Sequence, residues 1–567
     1  MPTGTHDTGP AEGLRTGPQP RDIVILIFMI GLFFSLFLGS RPLSVPDEGR
    51  YVEIPREMAV TGDWLTPRLN GVKYFEKPPL VYWITALSIK LFGLSEWSAR
   101  LVPAFFALLG CLSLYTAGTT LFSRRAGILS AIVLATSVLY YALSRTVILD
   151  LPVTALLTLS LCAFLIALRE PDGWKRRALL YVFYAGCGLT MLTKGLIGVA
   201  IPGMIIFFWM LVMNQWRILR SLYLPSGIAL FLLIAAPWHI LVQRANPEFF
   251  NFYFIHEHFE RYLSKVHGRY KPFWFFIPVL AGGLFPWSAF LVQAVRRAFP
   301  RWKDRHLHRE TVFLLLWAGL IFLFFSASSS KLIPYILPVF PPLALIIGKY
   351  LADAWEQGAI PGFHGAYVGL FFLALALAAA LALLPRFRPE IDVAVFRPYS
   401  VALTVILFAS VAITWFQKKR HGVQRSLVAL LIGTSLFLVT ANTAMPHLDR
   451  RSMKDESLLL KPLLRPGDEV MSYRTYYQDL PVYLERTITV VEWTGELDFG
   501  TKVEDTSNWM INEDEFWRRW NGPNRVFLVT NKENYVRLVN SGLGHYHIVE
   551  ESPTPQHVTL VNREESL

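Results

Sequence analysis

The amino-acid sequence predicts a polytopic α-helical membrane protein with a small α/β domain at its carboxyl end. Three observations carry that prediction. Hydrophobic residues fill 53% of the 567 positions and charged residues only 17%, far from the balance of a soluble chain. Thirteen apolar runs, each near the ~20 residues that a helix needs to cross a bilayer, recur before residue 445. Beyond Met445 the pattern changes to short apolar stretches alternating with amphipathic ones.

Residues 1–21 are rich in Gly, Pro and Thr, have no apolar core and end on Arg21, which reads as a disordered cytoplasmic tail. Residues 23–39 are the first apolar run, and no small-residue cleavage site follows, so a retained first helix is expected. Further spans are expected near 100–122, 126–144, 151–168, 178–192, 195–213, 226–243, 273–295, 311–329, 333–352, 363–384, 399–416 and 424–443. With the amino terminus inside, the basic clusters at 124–125, 175–177, 217–220, 296–309 and 418–420 all fall on the cytoplasmic side. The net charge of +12 therefore reflects membrane orientation, and no nucleic-acid partner is expected. Cys111, Cys162 and Cys187 lie inside apolar runs, with neither a disulfide framework nor metal-ligand spacing.

The transmembrane domain is expected to span 22–445, with outward loops at 41–99 and 244–272. The first of these is the densest in charge. Between Ser44 and Pro79 it carries Asp47, Glu48, Arg50, Glu53, Arg56, Glu57, Asp63, Arg68, Lys73, Glu76 and Lys77. Residues 48–59 have helical charge spacing, and Pro78-Pro79 force an extended entry to the next helix. A solvated loop would explain the charge. It would not explain rigid Pro and aromatic residues set around paired carboxylates.

Other polar residues land on the same outward face. Asp150 sits at a short connection between two spans; a carboxylate there either caps a helix or points into a protein-lined cavity. Lys194 repeats that logic with the opposite sign, snorkelling being the plain alternative. In the 244–272 loop, residues 249–271 place aromatics on one face and His256, Glu257, Glu260 and Arg261 on others, as in an interfacial helix. Glu76 with His256 is a candidate pair for a divalent metal ion, against the simpler reading of His256 as an interfacial histidine. The stretch from Ser326 to Pro338 sets Lys331 and Tyr335 among serines and prolines, either as a plain polar connection or as irregular backbone beside a cavity. With Lys77 and Arg261 it offers cationic and hydroxyl donors suited to a phosphate.

Residues 446–567 read as a separate outward-facing α/β domain, with strands at 468–473, 487–492, 525–530 and 546–550 and helices at 513–520 and 532–540. It holds no nucleophile elbow, phosphate loop or metal spacing, so a structural cap or docking surface is expected.

The runs PDEGRYVEIPREM, GDWLTPRLNGVKYFEKPPLVYW, LTKGLIG, AAPW, FFNFYFIHEHFERYLSKVHGR and SASSSKLIPYILPVFPPLALIIG closely resemble the lipid A 4-amino-4-deoxy-L-arabinose transferases. These are polyprenyl-phosphate-dependent membrane glycosyltransferases of GT-C architecture, related to the protein O-mannosyltransferases. The likeness is strong over about 22–350 and rests on span count and the soluble tail beyond. It implies an enzyme of the bacterial inner membrane whose site and carboxyl-terminal domain face the periplasm. The implied reaction moves aminoarabinose from undecaprenyl phosphate to lipid A phosphates and gives resistance to polymyxin and other cationic peptides. Asp47 would be the essential carboxylate and Asp150 a second one; Lys77, Arg261 and Tyr335 would bind the carrier phosphate. Glu48, Glu76, Lys194, His256 and Lys331 would line the cavity. No obligatory cofactor is implied, a divalent ion at Glu76 and His256 being the one candidate, and a monomer among membrane lipids is expected. One departure is Gly49, where relatives often carry Thr. The alternatives are a related transferase of another sugar, such as galacturonic acid, or another acceptor, and a lipid transporter, against which stand the clustering of the polar residues at one face and the absence of a repeat.

Overall fold

The computed structural model describes residues 17–260, 271–358, 360–388, 391–448, 451–551 and 557–563. Helix α1 (Pro20–Ser35) starts inside the expected tail because Pro20 is pre-set for a first turn and Asp22 is anchored at once. Asp22 is buried, accepts from Tyr115 at 2.9 Å and pairs with Arg124 at 2.6 Å. That contact fixes α1 against α4 (Glu96–Leu121) and the start of α5 (Arg124–Ala135).

In the first polar loop, α2 (Asp47–Thr61) begins on two carboxylates that suit the positive end of the helix dipole. It stops at Gly62, whose φ of 76° a larger residue would resist. Strands β1 (Arg68–Leu69) and β2 (Val72–Lys73) then form a hairpin closed by Asn70-Gly71, both with positive φ. Helix α3 (Leu80–Phe92) leads to α4, whose Ser95 and Ser98 form a capping box.

The bundle continues through α6 (Val138–Leu143), α7 (Asp150–Ala167), α8 (Trp174–Lys194), α9 (Ile197–Met213) and α10 (Leu224–Ala245), followed by a wide helical segment at Asn251–Glu260. After it come Phe276–Gly283, Ser288–Ala298, Arg309–Ala327, Phe340–Gln357, Phe363–Phe387, Val393–His421 and Val423–Ala444. All thirteen expected segments fall on helical stretches. Length and composition alone qualify eight of the described helices as spans, or nine if Phe273–Gly283 and Ser288–Ala298, bent by 109°, count as one. Helix α1, the broken α5–α6 pair, α8 with its basic start and α9 fall short of that test, so thirteen stays an expectation.

Burial separates the centre of the bundle from its margin. Helix α7 and the stretch Ile333–Gln357 are each 89% buried along their most apolar window, whereas Phe363–Phe387 and Val393–His421 are only 17% buried and present their sides to lipid. The central helices approach through small residues: a Cβ on Gly348 would sit 2.7 Å from the Ser130 backbone nitrogen, and one on Gly118 2.7 Å from the Gly127 Cα.

The carboxyl-terminal unit is a six-stranded sheet in the order β5-β4-β3-β6-β8-β7. Its strands are β3 (Glu469–Tyr473), β4 (Thr489–Val491), β5 (Met510–Ile511), β6 (Val526–Asn531), β7 (His547–Glu551) and β8 (His557–Val561). The first four run parallel, while β8 is antiparallel to both β6 and β7. Helices Glu513–Trp520 and Lys532–Asn540 lie where the sequence puts them. Strands β5 and β8 are additions to the expected set. Buried residues of this unit, including Tyr476, Leu480, Val490 and Leu497, join one continuous core with those of the bundle.

Candidate active site

The paired carboxylates that open α2 go separate ways. Neighbours on a helix point about 100° apart, so one faces the protein and the other leaves it. The Asp47 side chain is 60% exposed, with the Arg50 guanidinium 3.5 Å from its Oδ1. Glu48 is completely buried. Its oxygens accept from Arg100 at 2.9 Å through Nε and again through Nη2, and from Arg41, the Ser44 amide and the Val147 amide. Burial alone would push the Glu48 carboxyl up, but the guanidiniums of Arg100 and Arg41 outweigh it and hold the group well below the usual carboxylate range. Glu48 therefore does not line a cavity, contrary to expectation: every lone-pair direction is spent on tying α2 to α4 and to the turn before α7.

One turn on, Arg50 and Tyr51 face the first loop's far end. Arg50 makes an ion pair with Glu496 of the sheet domain, and its guanidinium lies 5.7 Å from the Tyr51 ring. Tyr51 stacks on Tyr82 with centroids 6.1 Å apart. Burial pushes the Tyr51 hydroxyl far up; Arg50 opposes this, while the charges of Asp47, Glu76 and Asp150 add to it. Glu76 is half-buried, and the Lys77 ammonium donates to its backbone carbonyl at 2.7 Å.

Asp150, Lys194 and Tyr335 come together from three separate stretches of chain. The Lys194 ammonium donates to Asp150 Oδ1 at 2.6 Å and sits 4.8 Å from the Tyr335 ring centroid. Both side chains of the pair keep some exposure, at 16% and 19%, so the charge is neutralised without being sealed. Lys331 is different. It is buried, with its ammonium on the carbonyls of Lys271 and Ser328, so it clasps two loops and is not a cavity cation as expected. The His256 side chain and Arg261 lie outside the described residues, and so does any metal site built from Glu76 with His256. Among the described residues no group of three or more His, Cys, Asp or Glu side chains is placed to hold a metal ion.

The sheet domain forms one wall of this region. Glu504 accepts the Lys73 amide at 2.7 Å and pairs with Arg68 at 3.0 Å. Asn70 exchanges two hydrogen bonds with Ile488, and Phe499 stacks on Phe252 at 3.8 Å. Gly49 is the tightest point: a Cβ there would meet the Asp479 nitrogen at 2.7 Å and the Gln478 carbonyl carbon at 2.8 Å. The glycine that departs from the familiar pattern is the one the domain contact requires.

Comparison with known proteins matches this arrangement along nearly the whole chain. The family described as dolichyl-phosphate-mannose-protein mannosyltransferase matches residues 43–253, and the aminoarabinose transferase C-terminal domain matches residues 458–556. The undecaprenyl phosphate-alpha-4-amino-4-deoxy-L-arabinose arabinosyl transferase of Pectobacterium atrosepticum is 30% identical over 510 residues, covering 87% of this chain and 89% of that protein. The chain belongs to this arabinosyl transferase family. The member from Aeromonas salmonicida is 35% identical over a shorter match, which spans 62% of this chain and 65% of that protein, just under two thirds of its length. In three dimensions the chain is similar to the crystal structure of ArnT from Cupriavidus metallidurans bound to undecaprenyl phosphate, with a TM-score of 0.84, 30% identity and coverage of 96% of this chain and 99% of that one. By its long apolar helices and this kinship the chain is a membrane protein of that family.

Sequence reasoning missed Arg41, Arg100, Arg50, Tyr51, Tyr82 and Glu496. For Arg100 a signal existed: an arginine at the head of an apolar run must find a buried counter-charge. For Glu496 there was none, because its partner lies on the other side of the transmembrane bundle in sequence.

Proposed function

We propose that this protein transfers 4-amino-4-deoxy-L-arabinose from undecaprenyl phosphate to phosphate groups of lipid A, acting as a monomer in a bacterial inner membrane with its site toward the periplasm. What carries the reading is the near full-length match to the arabinosyl transferases, joined to an exposed carboxylate set beside cationic and phenolic groups at one end of the bundle.

In this reading the bond between the sugar C1 and the carrier phosphate oxygen breaks, and the electron pair leaves with the phosphate. Lys77, and Arg261 with it, neutralise that developing charge, while the Tyr335 hydroxyl donates to it. Asp47 faces the sugar and stabilises the oxocarbenium-like centre. The acceptor phosphate is already anionic, so little general base is needed. In the same reading Asp150, which is paired with Lys194, orients the sugar ammonium. No redox cofactor enters, since the carrier-linked donor brings its own leaving group. Attaching an ammonium to a lipid phosphate lowers the negative surface potential that attracts cationic peptides.

The test is reconstitution of the purified protein with undecaprenyl phosphate-aminoarabinose and lipid A, read by mass spectrometry. Sugar should appear on lipid A bearing phosphates and not on dephosphorylated lipid A. Transfer to the dephosphorylated lipid, or use of a uronic acid donor alone, defeats the reading and leaves the wider lipid-linked transferase. Dialysis against a chelator should leave turnover unchanged; loss restored by a divalent ion, and absent in a Glu76→Gln variant, would support a metal at Glu76 and His256.

A further inference from the structure

One side chain of the sheet domain crosses into the candidate site. Glu496 lies in the short turn Gly495–Leu497 that follows β4, a turn opened by Gly495 at a φ of 45°. Its side chain is only 13% exposed. One carboxylate oxygen accepts from the Arg50 Nη2 and the other from Gln478 Nε2 at 2.9 Å. The second amino group of Arg50 faces Asp47 Oδ1 at 3.5 Å, too far for a firm hydrogen bond. The order Gln478, Glu496, Arg50, Asp47 thus runs from the sheet domain to the exposed carboxylate. Gly49, pressed against the backbone of Gln478 and Asp479, fixes the register in which these groups meet.

Two carboxylates compete here for one guanidinium, which has the planar fork to hold either of them bidentately. Glu496 has the advantage of burial, where attraction is strong, while Asp47 is solvated and its attraction is screened. Glu76 also lies within electrostatic reach of both Arg50 and Glu496, and Tyr51 and Tyr74 flank the guanidinium. We propose that Glu496 is a positioning residue for sugar transfer: it holds the Arg50 guanidinium off Asp47 and so leaves that carboxylate free to meet the donor. The proposal rests on the reading of Asp47 given above. Without the Glu496 charge, Arg50 turns wholly onto Asp47 and occupies it. The carboxyl-terminal domain is then a part of the active site and not a cap over it.

Steady-state transfer from undecaprenyl phosphate-aminoarabinose to lipid A by the purified full-length protein tests this. Glu496→Gln should lower kcat by about tenfold to a hundredfold, as a small displacement of a reacting group does. KM for the donor should stay within about two-fold, because donor binding is not what is lost. Glu496→Asp, which keeps the charge, should recover part of the loss. In an Arg50→Gln background the Glu496→Gln change should cost nothing more, since the two act through one another. A Glu496→Gln protein with wild-type kcat, or losses that multiply in the double variant, overturns the proposal while the transferase reading stands. If wild type itself transfers nothing, both fall together. Should Glu496→Gln fail to fold, Gln478→Leu releases the other oxygen and should give a smaller fall in kcat at unchanged KM; unaltered kcat there overturns the proposal equally.

Discussion

Glu48 and Asp47 are neighbours with opposite duties, and substituting each by its amide should separate them. Glu48→Gln leaves Arg100 and Arg41 buried with no counter-charge, a loss of about 3–5 kcal/mol where one partner of a buried pair is removed. The variant should unfold earlier in detergent melts and be recovered in low yield; a melting point equal to wild type would show that the clamp is dispensable. Asp47→Asn should do the reverse, melting like wild type because the group is mostly solvated, yet abolishing transfer. Turnover by purified Asp47→Asn would remove Asp47 from the chemistry. At this scale the sequence was readable wherever a charge had to be justified inside an apolar run, as with Asp150 and Lys194, which do meet. It was silent on which of two adjacent acids faces inward, because that depends on the rotation of α2 against α4, and on Glu496, whose pairing with Arg50 follows no local period.

Among the elements of the sheet domain, the short helix Leu480–Leu484 packs on α2, and the residue before it, which lies against Gly49, carries a pH response. Asp479 is fully buried; Oδ2 accepts from the Ser452 hydroxyl and the Met453 amide. Burial pushes its carboxyl up to about 7, against the pull of those two hydrogen bonds and with Glu456 adding to the rise. A carboxyl whose folded value is raised binds more protons folded than unfolded, so its share of stability is complete below its ordinary value of 3.8 and is lost as pH climbs through 7. Asp479→Asn should therefore match wild type near pH 4 and melt progressively later than wild type toward pH 8.5. Parallel melting curves for the two proteins across that range would contradict the assignment. The elements themselves were largely foreseeable: helices 513–520 and 532–540 follow from amphipathic spacing, and four of six strands from their apolar runs. The two-residue β5 is too short to leave a period, and the Asn-Gly hairpin of β1 and β2 passed unread within a loop judged by its charges.

At the scale of the whole molecule, the polar groups that need explaining gather at one end of the bundle, under the sheet domain. On the proposed topology, which puts the basic clusters on the cytoplasmic side, a reporter active only outside the cytoplasm and fused after Leu567 should work, while a cytoplasmic one should not. The opposite pattern would invert the topology and carry the candidate site to the wrong face.

The contacts between hairpin and sheet domain also order events in time. Arg68 waits for Glu504, 436 residues further along, and Asn70 for Ile488, 418 residues along. At a synthesis rate of about 5–20 residues per second, that is a delay of roughly 20 to 90 seconds. During it, the segment bearing Asp47 is already made but has nothing to dock on. An unfinished chain therefore holds the hairpin that follows Asp47 without its partners, and the sheet domain, made later, is what sets it in place.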